Sequence, residues 1–398
     1  MSEKAESVLR DIVNGSNTGQ VPFDDAVELV QSECSVSQDT ANQYVYKYCA
    51  VDQNAFDNKF ITMNNEPEAE TEADSHIDET ISTAELETPI GDPTGKYYNG
   101  KEIVDGSDVS GEPSGLEVLE DIGHPLVPDL DYEYLKRRLI GNHTDTEILT
   151  ETMSDPDFAT LLEGETGVGK GVLVKFIASV TNRPVVPVNF DKGITFDQLV
   201  GHYGPKNDGG FEWKKGFLQH AVEQGYIFLA DELNSAPGDV TMALHGVTED
   251  RGNRRLDLRE KGEVVRPHDE FIFVGTMNPA HAGYAGAKNL NDAFQTRFYT
   301  IEIDYMAEEA EVQHIMEKAG ESIEEREARR LVDLAGNLRG MYPKEIDTPI
   351  STRELIKVAK MCGTLDLANA TKLIFGGIAS PTDKDAINKS IETTLGSR

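Results

Sequence analysis

The protein has 398 residues, of which 71 are Asp or Glu and 37 are Lys or Arg, so its formal net charge is −34 at pH 7. No apolar run approaches the roughly 20 residues of a membrane span, and the N-terminal sequence lacks the basic and apolar regions of a secretory signal. A surface this acidic repels nucleic acid and anionic lipid, so we expect a cytoplasmic protein with no membrane span and without nucleic acid as a partner.

Residues 1–63 are expected to form a small helical unit, because apolar side chains recur at helical spacing in three short stretches. The segment from Ser35 to Tyr46 resembles the second half of a helix-turn-helix. The unit is acidic and has no cluster of Lys or Arg to meet phosphates, which favours a helical interaction module over a DNA-binding one.

Residues 64–115 are expected to form an acidic, disordered linker. Between Glu66 and Gly95 the chain carries ten acidic residues and no Lys or Arg, a composition that buries too little apolar surface to offset its ordering entropy. A docking tail is the alternative function for this stretch. Apolar density recovers from about Leu116, and Asp131–Ile140 is predicted to be a helix that leads into the main domain.

Residues 116–305 are predicted to form an α/β domain with a mostly parallel central sheet, because short apolar runs alternate with helical patterns. Residues 306–398 lack strong strand signals and are predicted to form a helical lid. The strand candidates are Phe158–Leu162, Val185–Val188, Tyr226–Ala230, Phe271–Val274 and Tyr299–Ile303.

A glycine-rich loop follows the first of these strands and opens a helix. Such a loop turns its backbone N–H groups onto phosphate oxygens, while its lysine reaches the terminal phosphates. The residue after the lysine is normally Ser or Thr, which binds Mg²⁺ through its hydroxyl, but here it is glycine. The loop residues are Gly164, Glu165, Thr166, Gly167, Val168, Gly169, Lys170 and Gly171.

Polar side chains end two further strands. Asp231 and Glu232 follow Tyr226–Ala230, where Asp231 is placed to hold Mg²⁺ and Glu232 to polarise an attacking water. Asn278 ends the strand that begins at Phe271, where its amide could orient that water or touch the γ-phosphate. Taken alone, Asp231 and Glu232 would be read as an ordinary acidic turn, and Asn278 as part of a turn-forming Asn-Pro pair. Because they follow the phosphate loop in this order, the catalytic interpretation is favoured.

Two arginines come later in the chain. Arg297 ends a helix just before a strand, and Arg353 lies at the start of a lid helix. Either could be an ordinary surface cation. In this order, both fit arginines that stabilise the charge of phosphoryl transfer.

These five elements, in this order, resemble the AAA+ ATPases, and most closely the MoxR-type branch that contains the CbbQ, NorQ, GvpN and CobS proteins. The resemblance covers about residues 130–395 and includes the stretches Asp197–Gly201, Phe211–Ala221, Arg255–Val265 and Gly283–Lys288. The first 115 residues lie outside it.

The resemblance implies a role for each matching residue. Gly164–Lys170 would be Walker A, Asp231 and Glu232 Walker B, and Asn278 sensor 1. Arg297 would be the arginine finger that acts on a neighbouring subunit, with Arg254 and Arg255 as alternatives at the interface, and Arg353 would be sensor 2. Asn189 would restrain Glu232, and hairpins near 201–213 and 256–265 would face the pore or a partner.

The implied function is ATP-driven remodelling by a homo-oligomeric ring, most often a hexamer, with ATP and Mg²⁺ as cofactors. The ring would act on a client protein or metalloenzyme, commonly with a partner that carries a von Willebrand factor A domain. Two alternatives stay open: a DNA-binding AAA+ motor or regulator that uses the N-terminal unit, and a nucleotide-gated switch with little hydrolysis. The second alternative rests on Gly171. Because this residue has no hydroxyl, we expect Mg²⁺ coordination to be weakened while nucleotide binding is retained.

Overall fold

The computed structural model describes residues 81–108, 114–130, 134–206, 209–279 and 290–396, together with the backbone of three strands nearer the N-terminus. The chain divides into two compact units, residues 1–74 and 75–398. The predicted helices of residues 1–48, the acidic stretch up to residue 80 and the Gly283–Lys288 motif lie outside the described residues.

The first unit contains a small antiparallel sheet. Its strands are β1 (Val21–Pro22), β2 (Cys49–Gln53) and β3 (Lys59–Met63), and β3 lies between the other two. The prediction of an entirely helical unit is therefore wrong for residues 49–53 and 59–63. Cys49–Gln53 and Lys59–Met63 pair residue for residue, a long-range contact that helical spacing in the neighbouring stretches does not indicate.

The second unit begins with a segment that the sequence analysis assigned to the linker. It forms α1 (Thr83–Leu86) and the strands β4 (Pro93–Tyr98), β5 (Ile103–Asp105) and β6 (Leu116–Leu119), which pair antiparallel in the order β5-β4-β6. The predicted disorder is thus wrong for residues 81–107. Leu86 and Tyr98 are buried against the main domain, so a few apolar anchors order an otherwise polar stretch.

The predicted helix at Asp131–Ile140 is also wrong. Residues 134–137 have no regular secondary structure, and β7 (Arg138–Ile140) turns back on β8 (His143–Thr144). Tyr134 instead turns its hydroxyl to the buried Asp145, from which it is 2.7 Å away. This tertiary contact overrides the local helical pattern.

The main domain alternates helices and strands as predicted. Its elements are, in order, α2 (Asp145–Ser154), β9 (Ala159–Glu163), α3 (Lys170–Val180), β10 (Val185–Asn189), α4 (Phe196–Val200), β11 (Gly201–Pro205), β12 (Phe211–Lys215), α5 (Phe217–Gln224), β13 (Ile227–Asp231), α6 (Gly238–Val247), β14 (Leu256–Leu258), β15 (Glu263–Val265), β16 (Ile272–Met277), α7 (Asp292–Gln295) and β17 (Phe298–Glu302).

A five-stranded parallel sheet in the order β10-β13-β16-β9-β17 forms the centre of this domain, which confirms the predicted fold class. Strands β10, β13, β16 and β9 are largely buried beneath the helices, as expected for a parallel sheet, whereas three of the five residues of the edge strand β17 are exposed. Because these strands are parallel, the carboxyl ends of β9, β10, β13 and β16 lie side by side at one end of the sheet. The loops that follow them are therefore close together. Two hairpins, β11–β12 and β14–β15, are present where the resemblance implied them.

The C-terminal region is helical, as predicted. It contains α8 (Glu308–Ala319), α9 (Glu325–Met341), α10 (Thr352–Met361), α11 (Leu367–Ile378) and α12 (Lys384–Leu395), which share a hydrophobic core of their own. Among the residues that the structure describes, no helix is long and apolar enough to cross a bilayer.

Candidate functional site

The glycine-rich loop connects the carboxyl end of β9 to the first turn of α3. Gly167 and Gly169 have φ values of +77° and +88°, a region that side chains with a Cβ rarely adopt. A Cβ on Gly167 would also lie 2.4 Å from the Cβ of Ser351, so the tip of the loop packs directly against the C-terminal helical region. The loop presents the amino end of an 11-residue helix, which favours a bound anion.

Lys170 is buried at the centre of the site, with 8% of its surface exposed. Its Nζ donates hydrogen bonds to the carbonyl oxygens of Gly164 (2.7 Å) and Glu165 (3.1 Å) and to Oδ1 of Asn278 (3.0 Å). Burial lowers the pKa of Lys170, and the carboxylate of Asp231 opposes that shift. A phosphate oxygen that replaced one of the carbonyl acceptors would offer this desolvated cation a full negative charge.

Asp231 is the last residue of β13 and Glu232 follows it, so both lie at the same end of the sheet as the loop. The hydroxyl of Thr276 on β16 donates to Oδ1 of Asp231, and the backbone N–H of Glu232 donates to the same hydroxyl over 3.4 Å. Glu232 has a φ of +56°, a left-handed conformation that is uncommon for a residue with a side chain and that marks functional turns. Thr276, which the sequence analysis missed, therefore fixes both acidic residues.

Asn278 joins the sheet edge to the phosphate loop through its bond to Lys170. Its own carbonyl oxygen accepts a hydrogen bond of 3.0 Å from the side chain of Asn234, which is buried. Asn189 is paired in register with Asp231 on the neighbouring strand, and its Oδ1 is buried without a hydrogen-bond partner. The structure thus places Asn189 beside Asp231 at the end of the neighbouring strand.

The two arginines lie in different places. Arg353 is exposed and lines a cavity together with Gly167–Gly169 of the loop. Arg297 precedes β17, and its carbonyl accepts from the N–H of Ala159, at the start of β9. The glycine-rich loop follows the carboxyl end of this five-residue strand, whereas Arg297 lies at its amino end. Arg297 is therefore about 15 Å from the loop, at the opposite end of the sheet. There it pairs with Glu249 and donates to the carbonyl of His245 (2.9 Å).

A cavity of about 200 Å³ adjoins the loop between the sheet domain and the C-terminal helices. The loop residues Gly167–Gly169 and Arg353 line it together with apolar side chains such as Leu135, Met306 and Ile356. The lining residues that the sequence did not indicate are Tyr134, Leu135, Arg137, Val172, Met306, His314, Thr352 and Ile356. They come from segments far apart in the chain, so no local pattern indicates them.

Two family models match the parts of the chain that form this site. The model described as an AAA domain of the dynein-related subfamily matches residues 159–298, and the CbbQ/NirQ/NorQ C-terminal model matches residues 311–395. The first match covers the loop, both acidic residues, Asn278 and Arg297, and the second covers Arg353.

Three curated relatives match this chain over most of their own length. Protein NorQ of Paracoccus denitrificans is 30% identical over 242 residues, which is 61% of this chain and 86% of NorQ. Protein CbbQ of Hydrogenophilus thermoluteolus is 34% identical over 49% of this chain and 71% of CbbQ. The denitrification regulatory protein NirQ of Pseudomonas aeruginosa is 32% identical over 51% of this chain and 75% of NirQ.

This chain belongs to the CbbQ/NirQ/NorQ family. It is therefore an AAA+ protein of the MoxR type, as the order of its motifs indicated. The first 80 residues lie outside both matched models, which begin at residues 159 and 311.

In this CbbQ/NirQ/NorQ protein, Arg137 holds the phosphate loop in place from outside the matched region. Its Nη1 donates to the carbonyls of Val168 (2.6 Å) and Asp304 (3.0 Å), and its Nε pairs with Oδ2 of Asp145 at 3.0 Å. The Asp145 side chain is fully buried. Arg137 thus connects the loop to Asp145 at the start of α2 and to Asp304 after β17. The sequence does not indicate this role.

Replacing Arg137 by methionine is expected to lower the free energy of unfolding by about 3 kcal/mol, because it leaves the buried carboxylate of Asp145 without its cation. Urea denaturation followed by circular dichroism measures this change. The matched control is Arg138→Met, since Arg138 is the next residue and is exposed. Equal stability of the two variants would show that Arg137 does not organise the loop.

Proposed function

We propose that this protein is an ATPase that binds ATP with Mg²⁺ between its sheet domain and its C-terminal helices. The observation that carries the proposal is the bond between Lys170 and Asn278, which brings the phosphate loop and the edge of the sheet together beside Asp231 and Glu232. The apolar side chains that line the adjoining cavity, among them Leu135, Met306 and Ile356, offer room for the base. Family membership supports the same activity.

The protein's own groups divide the work of hydrolysis. Lys170 exchanges its loop carbonyls for phosphate oxygens, and the amino end of α3 adds N–H donors. Glu232 is exposed, so water reaches its carboxylate, which accepts a proton from the attacking water. Asn278, held by Asn234, orients the water or the γ-phosphate from a fixed position.

The donor set fits Mg²⁺ only in part. Asp231 supplies a carboxylate that Thr276 holds in place, and bound Mg²⁺ would neutralise charge on the phosphates. The hydroxyl normally found after the lysine is absent at Gly171. A Cβ at that position would meet Cδ2 of Leu229 at 3.9 Å, an ordinary van der Waals distance, so a serine fits there.

Gly171→Ser is expected to tighten Mg²⁺-dependent nucleotide binding by about tenfold, because it adds a hydroxyl ligand. Titration of a fluorescent ATP analogue with and without Mg²⁺ measures the change. Gly171→Ala is the matched control, since it also replaces the helical glycine and adds the Cβ, but without the hydroxyl. The same gain in both variants would show that the hydroxyl is not the missing element.

The Gly171 departure also favours a second candidate function, a nucleotide-gated switch that binds ATP and hydrolyses it very slowly. Under that function, Gly171→Ser would raise a near-zero rate of hydrolysis in the assembled protein. Under the leading function, the wild-type protein already releases phosphate at a steady rate.

We further propose that copies of this chain form a ring, most often a hexamer in the family, in which Arg297 acts on a neighbour's nucleotide. Its place at the opposite edge of the sheet from Lys170 supports this, because it is too far away to serve its own site. Its pairing with Glu249 holds the guanidinium at that edge.

Mixing Lys170→Ala with Arg297→Ala is expected to restore hydrolysis that neither variant shows alone. In an equal mixture, about a quarter of the interfaces would pair an intact Lys170 with an intact Arg297. Phosphate release from the mixture and from each variant measures this. No recovery after co-assembly, with ring formation verified by light scattering, would contradict action between subunits.

The proposed work of the ring is to remodel or activate a client protein or metalloenzyme, together with a partner that carries a von Willebrand factor A domain. The two hairpins support contact with such proteins, because Phe211 and Val264 are 72% and 61% exposed on them. Exposed apolar side chains on hairpins are suited to gripping another chain. Co-purification from the native cell, read by mass spectrometry, tests this part of the proposal.

A further inference from the structure

The start of helix α10, which carries Arg353, is fixed by a buried ion pair between two other helices. Both terminal nitrogens of Arg339 donate to the carboxylate of Glu311, each over 2.8 Å. The Nε of Arg339 donates to the carbonyl of Ile350 (2.8 Å), and the hydroxyl of Thr352 donates to Glu311 (2.6 Å). The pair thus holds the two residues that flank Ser351, next to Arg353.

This ion pair is well shielded from water. Glu311 is 1% exposed and the side chain of Arg339 is 14% exposed. A buried carboxylate with a bidentate guanidinium and an added hydroxyl donor has its lone pairs largely satisfied, and such a pair has one strongly preferred geometry. The first turn of α10 therefore follows any movement of Arg339.

Tyr305 connects this pair to the phosphate loop. It lies between β17 and α8, where the chain passes from the sheet domain to the C-terminal helices. The guanidinium carbon of Arg339 lies 3.7 Å from the centre of the Tyr305 ring, a cation–π contact, and the Tyr305 hydroxyl donates to the carbonyl of Thr166 over 3.5 Å. On the loop side, Gly167 packs closely against Ser351, the residue that precedes α10. The loop and the start of α10 are therefore in direct contact as well.

We infer that Tyr305, Arg339 and Glu311 are positioning residues that set the place of Arg353 relative to the phosphate loop. The ring of Tyr305 supports the guanidinium of Arg339, and Arg339 together with Glu311 holds the first turn of α10. The inference rests on the proposed function, since it assumes that Arg353 meets the phosphates of a bound nucleotide.

A double-mutant cycle between Tyr305 and Arg353 tests this inference, with the affinity for a fluorescent ATP analogue as the readout. We expect Arg353→Ala and Tyr305→Leu each to weaken binding by about tenfold, and the double variant to be no weaker than Arg353→Ala alone. Tyr305→Phe, which keeps the ring under Arg339, should stay within about threefold of wild type. Additive losses in the double variant would overturn the inference.

The controls separate this inference from the proposed function. Tyr299→Leu removes a half-exposed tyrosine from β17, and we expect it to change neither the affinity nor the effect of Arg353→Ala. If Tyr305→Leu unfolds in thermal melts, Arg339→Lys replaces it in the same cycle, because lysine keeps the charge and loses the bidentate contact. Failure of the wild-type protein to bind the analogue would instead refute the proposed function.

Discussion

Replacing Lys170 by alanine is expected to weaken ATP binding by about a hundredfold and to abolish hydrolysis, because it removes the buried cation at the centre of the site. Lys170 is the one residue that contacts both the loop carbonyls and Asn278 among the bonds described above. Its loss therefore removes a phosphate ligand and also separates the loop from the sheet edge. Titration calorimetry with ATP and Mg²⁺ measures the change in affinity.

Lys175→Ala is the matched control for this variant, because Lys175 lies on the same helix and is exposed. We expect it to bind ATP as the wild-type protein does. Thermal unfolding of both variants verifies that the fold persists. If Lys170→Ala bound ATP with wild-type affinity, the nucleotide would have to lie elsewhere in the molecule.

Replacing Glu232 by glutamine is expected to leave ATP bound and to lower the rate of hydrolysis by a factor of about 10²–10⁴, the range associated with loss of a general base. Glutamine has the same length and preserves hydrogen bonding, but it does not accept a proton at neutral pH. Because Glu232 is exposed and its left-handed backbone is set by its neighbours, we expect the variant to keep its fold. Phosphate release and nucleotide affinity, measured side by side, separate catalysis from binding.

Glu321→Gln serves as the matched control, since it makes the same chemical change at an exposed position on the C-terminal helices. It should hydrolyse ATP at the wild-type rate. A Glu232→Gln variant that kept full activity would assign the base to another group. One that lost binding as well would show that Glu232 holds the site together and would leave its role as a base unsupported.

The fold of the ATPase domain could be predicted because its signals are local. Each short apolar strand, the glycine-rich loop, and the polar residues at the end of β13 and after β16 can be recognised from a few consecutive residues. The order of these motifs indicated that Lys170, Asp231 and Asn278 meet at one sheet edge, and the structure brings them together. Parallel pairing makes this inference safe, because all carboxyl ends share one edge.

The parts that could not be predicted depend on contacts between distant segments. Arg137 contacts Val168 and Asp304, and nothing near residue 137 indicates either partner. Likewise, nothing near residue 305 in the sequence indicates that the ring of Tyr305 contacts the guanidinium of Arg339. The stretch from 81 to 107 was misassigned for a related reason: its composition is that of a disordered chain, and Leu86 and Tyr98 order it only by packing on the main domain.

The placement of Arg297 shows how sequence order and space differ. In the sequence it is the next of the ordered motifs after Asn278, and the resemblance implies that it acts on a neighbouring subunit. In the structure it lies at the opposite edge of the sheet, held by Glu249. This is the arrangement expected if the catalytic site is completed by a second copy of the chain.

Phosphate release from ATP by the full chain, measured across a range of protein concentrations with Mg²⁺ present, tests the central claim most directly. We predict a steady rate per chain that rises with protein concentration and then reaches a plateau, as copies assemble and Arg297 of one reaches the nucleotide of the next. The rate should vanish in Lys170→Ala and fall by a factor of about 10²–10⁴ in Glu232→Gln. A wild-type protein that bound ATP but released no phosphate at any concentration would contradict the account.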